Sequence, residues 1–155
     1  MMMDNARVLI VEARFYEDIA DELVRGAVAV LDDAGVTYER ISVPGAFEIP
    51  AAIRFAIRSM EVHASSRGYS GFVALGCVIR GETDHYDHIC RESARGLMDL
   101  TMTYSVAIGN GILTCENGEQ AWARAKVDQK NKGAGAAQAC LHMMELKRDF
   151  RLLLR

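Results

Sequence analysis

The run Arg80-Gly81-Glu82-Thr83-Asp84-His85 gathers a glycine, a hydroxyl, two carboxylates and an imidazole at one place in the chain. Histidine titrates near neutral pH and is the usual carrier of protons in catalysis. A threonine ahead of a helix caps it, and the free amides of a helix start attract anions. The segment could therefore hold a phosphate and move a proton beside it; it could equally cap a helix and do nothing more. His88 adds an H-x-x-H pair near Asp84 and Asp87. No metal is expected there, because the glutamate of H-E-x-x-H and any cysteine partner are missing. Phe15 is a flat ring able to stack on another. Gly45 precedes Ala46-Phe47-Glu48, where bare backbone could approach a ligand. Arg124 and Lys132 are cations that could meet a phosphate or merely face solvent. Gly133-Ala134-Gly135 is a fragment of a dinucleotide fingerprint, but it does not follow the first strand and carries little weight.

These residues need elements to hold them. Arg7 to Ala13 is a short apolar run that predicts a buried strand. Ile19, Leu23, Gly26, Ala27, Val30 and Ala34 recur at helical spacing until Gly35 stops them. Val36 to Val43 predicts a second, less apolar strand at a sheet edge. Pro44-Gly45 ends it, and Pro50 opens a helix through Ile53, Ala56, Ile57 and Met60. Arg67 to Gly71 is a turn, and Phe72 to Ile79 is apolar enough for a central parallel strand. A long helix is predicted from Asp84, with Thr83 as its cap, to Tyr104. Its stripe is Tyr86, Cys90, Ser93, Leu97, Leu100 and Tyr104. Ser105 to Ile112 predicts a fourth strand broken at Gly109-Asn110-Gly111. A short helix near Asn117 has Gln120 in a capping-box relation. A last helix runs from about Gly133 to Leu153.

Strands alternating with helices predict an α/β three-layer sandwich, a four-stranded parallel sheet flanked by helices on both faces. Ligands of such sheets bind beyond the carboxyl ends of the strands. Beyond those four ends the chain places Arg14-Phe15-Tyr16, Pro44 to Glu48, Arg80 to His85, and Thr114-Cys115-Glu116-Asn117. Polar, aromatic and glycine residues thus share one rim. With 155 residues the chain is read as a single domain, residues 1–6 being a flexible N-terminus. A net charge of −3 offers no footprint for nucleic acid. No apolar stretch reaches 18 residues, so no membrane span is expected, and the N-terminus does not have the pattern of a signal peptide. Cys77, Cys90, Cys115 and Cys140 form no C-x-x-C pair and read as reduced thiols, which points to the cytoplasm.

Four segments together carry a resemblance. Val43 to Pro50 (VPGAFEIP), Leu75 to Asp87 (LGCVIRGETDHYD), Gly111 to Asn117 (GILTCEN) and Asn131-Lys132-Gly133 resemble the 6,7-dimethyl-8-ribityllumazine synthases in order and spacing, along almost the whole chain. The resemblance implies a flavodoxin-like fold and a condensation of 5-amino-6-(D-ribitylamino)uracil with 3,4-dihydroxy-2-butanone 4-phosphate. That is the penultimate step of riboflavin biosynthesis. It implies no cofactor and sites between adjacent subunits of a pentamer, with riboflavin synthase as a partner. By position, Phe15 would stack on the pyrimidine. Ala46, Phe47, Glu48, Cys77, Val78 and Ile79 would hold the ribityl chain and the uracil. Glu82 and Thr83 would hold the butanone phosphate with Arg124, Lys132 lying near, and His85 would transfer protons. Asn110 and Arg124 would come from the neighbouring subunit.

Three departures from the family pattern stand out. Asn110 replaces a frequent aromatic, Asp84 puts a carboxylate beside His85, and Lys126-Val127-Asp128-Gln129-Lys130 lacks the glycine-rich loop of sixty-subunit shells. A free pentamer, or a pair of pentamers, is expected instead. Two competing readings are a non-catalytic flavin- or lumazine-binding protein on the same scaffold, and a phosphate-binding regulator.

Overall fold

The computed structural model describes residues 5–64 and 68–152. The chain alternates as expected: β1 (Arg7–Ala13), α1 (Glu17–Asp33), β2 (Thr37–Val43), a 3-10 turn (Ala46–Glu48), α2 (Ile49–Val62), β3 (Gly71–Ile79), α3 (His85–Tyr104), β4 (Ile108–Cys115), α4 (Gly118–Ala125) and α5 (Lys132–Asp149). The four strands form one sheet in the order β2-β1-β3-β4. All pairings are parallel, with Val11 opposite both Ile41 and Ala74, and Ala74 opposite Asn110. The fold is therefore a flavodoxin-like α/β sandwich.

Period-two alternation sends successive strand residues to opposite faces. Val8, Ile10, Val73, Leu75 and Leu113 meet Leu23, Ala27 and Leu31 of α1, Ala121 of α4, and Ala137 and Met144 of α5. Leu9, Val11, Phe72 and Ala74 meet Ile49, Ile53 and Ile57 of α2, and Leu97 and Leu100 of α3. Each fully buried large apolar side chain contributes roughly 1.5–3 kcal/mol relative to exposure. Gly35 ends α1 with φ +69°, a conformation that other residues adopt only under strain.

β2 lies at the edge, which its polar pattern requires. Its Glu39 is tied down by an ion pair with Arg7 and by the Tyr69 hydroxyl, which donates to it at 2.7 Å.

The fourth strand differs from expectation. It starts at Ile108 and runs unbroken to Cys115. Its glycines are not breaks but clearances for α5. A Cβ on Gly109 would stand 1.8 Å from the Ala136 carbonyl oxygen of α5, and one on Gly111 2.9 Å from the Ala136 Cβ as well as 2.7 Å from the Leu75 side chain of β3. The backbone of α5 therefore lies directly on β4.

Two helix starts also differ. The residue capping α3 is Asp84, not Thr83, and its side chain makes no cap bond; the Thr83 hydroxyl accepts from the His85 amide at 3.3 Å instead. At α4 the Asn117 side chain accepts from the Gln120 amide at 2.9 Å as expected, but the Gln120 side chain accepts in return from the Glu116 amide at 2.8 Å rather than from that of Asn117. The last helix ends at Asp149, and Leu153, where it was expected to end, lies outside the described residues. Arg67, at the start of the expected turn, and residues 1–4 of the expected flexible N-terminus also lie outside them. Ala6 is buried against the core.

Candidate active site

Going outward from β1, the sheet order runs to β2 on one side and to β3 on the other. The two crossovers leave the β1 and β3 carboxyl ends in opposite directions, and a crevice opens between them. A cleft of about 590 Å³ lies there, within the usual range for a site that takes a small organic ligand. Its lining comes from four places: Phe15 and Tyr16 after β1, Gly45 to Glu48 after β2, Cys77 to Ile79 at the end of β3, and His85, His88 and Ile89 on α3.

Each wall has a local cause. Phe15 projects from the short link between β1 and α1. Its ring is 72% exposed and meets Tyr16 edge-on, with centroids 4.9 Å apart. Folding gains little from an aromatic left so bare, whereas a flat ligand would cover it. The 3-10 turn carries Ala46 into the core and leaves Phe47 56% exposed at the mouth. Gly45 is extended at φ −151°, so its backbone does not demand glycine. Cys77 is buried, and burial foremost, then the neighbouring Cys115, pushes its thiol up to about 12. It is a neutral wall, not a nucleophile. Burial likewise raises the Tyr16 phenol.

The link bearing Phe15 is anchored from below by a residue outside the sequence-predicted set. Glu12 is 2% exposed, on β1. Its carboxylate accepts from Arg14 Nη1 at 2.7 Å and from Arg40 Nε at 2.5 Å and Nη2 at 3.1 Å. Arg14 reaches on to Asp21 of α1. The hydrogen bonds to Asp21 and Glu12 raise the Arg14 guanidinium further, against the opposing effect of burial. The sequence does carry a signal for it: one acid inside an apolar strand, with an arginine on the neighbouring strand near its register.

Of the thirteen sequence-predicted site residues, eight line the cleft: Phe15, Ala46, Phe47, Glu48, Cys77, Val78, Ile79 and His85. Glu82 and Thr83 lie exposed in the link between β3 and α3, outside the lining. Asn110 is exposed in mid-strand on β4, where its side chain accepts from the Ile112 amide at 3.0 Å. Arg124 sits in the last turn of α4 and donates to the Gln120 carbonyl at 3.1 Å. Lys132 opens α5 and is exposed. A single chain does not bring these five into the cleft.

Four lining residues lie outside the thirteen: Gly45 and Tyr16, which the sequence already places on the same rim, and His88 and Ile89. Tyr16 follows Phe15 directly. His88 and Ile89 stand three and four residues after His85 and so share its helix face. Asp84, expected to act beside His85, lies instead against His88, Oδ2 to Nε2 3.3 Å. Among the described residues no group of three or more His, Cys, Asp or Glu is placed to hold a metal ion. None of their helices is long and apolar enough to cross a membrane.

Comparison with known proteins joins this geometry to a family. The family model for 6,7-dimethyl-8-ribityllumazine synthase matches residues 5–148. A 6,7-dimethyl-8-ribityllumazine synthase of Bartonella bacilliformis is 58% identical over 146 residues, covering 94% of this chain and 93% of that protein. One of Agrobacterium fabrum is 56% identical over 146 residues, with 94% and 97% covered. The 6,7-dimethyl-8-ribityllumazine synthase 1 of Rhizobium meliloti is 57% identical over 140 residues, with 90% of each covered. A match of this extent, on a flavodoxin-like sheet whose switch point opens the cleft, means that the chain belongs to the 6,7-dimethyl-8-ribityllumazine synthase family.

Proposed function

We propose that the chain condenses 5-amino-6-(D-ribitylamino)uracil with 3,4-dihydroxy-2-butanone 4-phosphate. The products are 6,7-dimethyl-8-ribityllumazine, water and phosphate, and the step belongs to riboflavin biosynthesis. The observation that carries the reading is the convergence of eight family-matched positions from four separate segments on one cleft.

The chemistry asks for proximity, proton transfer and a stabilised leaving phosphate, and for no nucleophilic side chain. In our reading the pyrimidine stacks on Phe15. Backbone and side chains of Ala46, Phe47, Glu48, Cys77, Val78 and Ile79 hold its uracil and ribityl parts. His85 carries protons during imine formation and ring closure. Glu82 and Thr83 hold the phosphate together with Arg124 and Lys132, and their hold on the departing charge is catalytic rather than merely adhesive. Asn110 and Arg124 belong to the adjacent subunit of a pentamer, or of a pair of pentamers. The separation of Arg124 from the cleft within one chain supports that arrangement. The enzyme works in the cytoplasm, and riboflavin synthase, which consumes the product, is its partner.

A steady-state assay of lumazine formation tests the reading. Turnover that collapses on His85→Ala is expected. Tight riboflavin binding with no turnover by the unaltered protein would refute it. Arg124→Ala should raise the KM for the butanone phosphate far more than that for the pyrimidine; equal effects on both would remove Arg124 from the phosphate site.

A further inference from the structure

Arg80 is the first residue after β3, and three side-chain contacts converge on it. Its Nε donates to Glu116, just beyond β4, at 2.7 Å. Its two terminal nitrogens meet the two oxygens of Asp87, in the first turn of α3, at 3.4 Å each. Its guanidinium lies 4.3 Å above the centre of the Tyr86 ring. The link from Gly81 to Asp84 is thus bracketed on one side by Arg80, fastened to Glu116 at the end of β4, and on the other by Tyr86 and Asp87, which Arg80 holds, while a Cβ built on Gly81 would touch nothing.

These contacts are exposed, and exposed ion pairs add little to global stability. What a guanidinium can do here is geometric: its planar fork meets a carboxylate while its face covers a ring, which an ammonium cannot do. We infer that Arg80 is a positioning residue for the butanone phosphate: it holds the Glu82-Thr83 link at the height at which that link meets the phosphate. The inference rests on the proposed function, which puts the phosphate at Glu82 and Thr83. It assigns Arg80 no contact with substrate, because both of its edges are occupied by Glu116 and Asp87.

The test compares the unaltered enzyme with Arg80→Met, Arg80→Lys and Glu116→Gln, measuring both KM values, kcat, the inhibition constant of inorganic phosphate and Tm. A small misplacement of binding groups weakens what they hold, so Arg80→Met should raise the KM for the butanone phosphate and the inhibition constant of phosphate by about tenfold. The KM for the pyrimidine should stay within about twofold and Tm within about 2 °C, as for other exposed pairs. Arg80→Lys should not restore the loss, and Glu116→Gln should reproduce part of it. Full recovery by lysine would mean that the phosphate senses charge and not the placement of the link, and would overturn the inference. Unchanged phosphate affinity in Arg80→Met, or an equal rise in both KM values, would overturn it as well. If the unaltered enzyme makes no lumazine, the functional reading falls, whereas an active enzyme indifferent to Arg80→Met removes only this inference.

Discussion

Replacing Phe15 by alanine separates binding from folding. The ring is 72% exposed and meets Tyr16 edge-on. Truncation should therefore move stability by no more than about 0.5 kcal/mol, as at other surface positions. A stacked pyrimidine would cover about 70 Å² of the ring, roughly a third of what a buried aromatic hides. At about 25 cal/mol per Å² that is worth ~1.8 kcal/mol. The stacking geometry adds roughly 0.5–1.5 kcal/mol. The expected loss is thus about 2.3–3.3 kcal/mol, or roughly 50- to 250-fold in the affinity for the pyrimidine. The assay is equilibrium titration of the variant with the lumazine product or a non-reacting pyrimidine, alongside a urea melt. Phe15→Trp should keep most of the affinity. A change below about threefold in Phe15→Ala, against this arithmetic, would take the ring out of the site. A large loss of stability would show that Phe15 serves the fold.

Three further perturbations probe the frame beneath the cleft. Glu12→Gln removes the one charge in its network that is fully buried, and breaking such pairs costs about 3–5 kcal/mol when the orphaned charge stays buried. Arg14 keeps Asp21 and Arg40 is half exposed, so the expected cost in urea unfolding is nearer 2–3 kcal/mol by the same principle. No measurable cost would mean that the network is dispensable. Gly109→Ala should destabilise by about 3 kcal/mol or more by driving a methyl into the Ala136 carbonyl; Gly118→Ala, with open space around it, should be neutral. Burial pushes Cys140 up to about 12 from an ordinary 9.0, so above pH 9 the unfolded chain releases a proton that the folded chain retains. Stability should then fall with rising pH by about 1.4 kcal/mol per unit from this thiol. Cys140→Ala should show a correspondingly shallower fall between about pH 9.5 and 11, and parallel slopes would contradict the assignment.

Much of the sheet is legible in the sequence because burial on both faces leaves a continuous apolar run, as in β1 and β3, and an edge leaves a polar one, as in β2. β4 is not legible at Gly109 and Gly111, because their reason is α5, more than twenty residues later in the chain. Local composition cannot separate a glycine that bends a strand from one that admits a helix. Thr83 misleads on a smaller scale, since cap identity depends on where the chain turns and not on which residue is the better acceptor. The cleft walls are legible as strand ends. His88 and Ile89 need only the helical period counted from His85. Glu12 stands out in the sequence as an acid inside an apolar strand, but its pairing with Arg40 on β2 becomes visible only in the register of the sheet. Asn110, Arg124 and Lys132 lie on β4, α4 and α5, outside the lining of the single chain's cleft.

The backbone-on-backbone seat of α5 on β4 divides the molecule mechanically. Gly133 adds a second such seat, where a Cβ would stand 2.0 Å from the Leu23 carbonyl of α1. Layers in contact through main chain have no side-chain rotamers to absorb a shift, so α1, α5 and β4 move together or not at all. Compliance is left to the opposite face, in the segment from Gly45 to Glu48 that lines the cleft. A ligand that asks the cleft to widen by a few tenths of an ångström will therefore be accommodated by that segment. The Glu48 amide, which donates to the Gly45 carbonyl, should be the first near the site to lose protection from hydrogen exchange, while the β4 amides bonded to β3 exchange only with global unfolding.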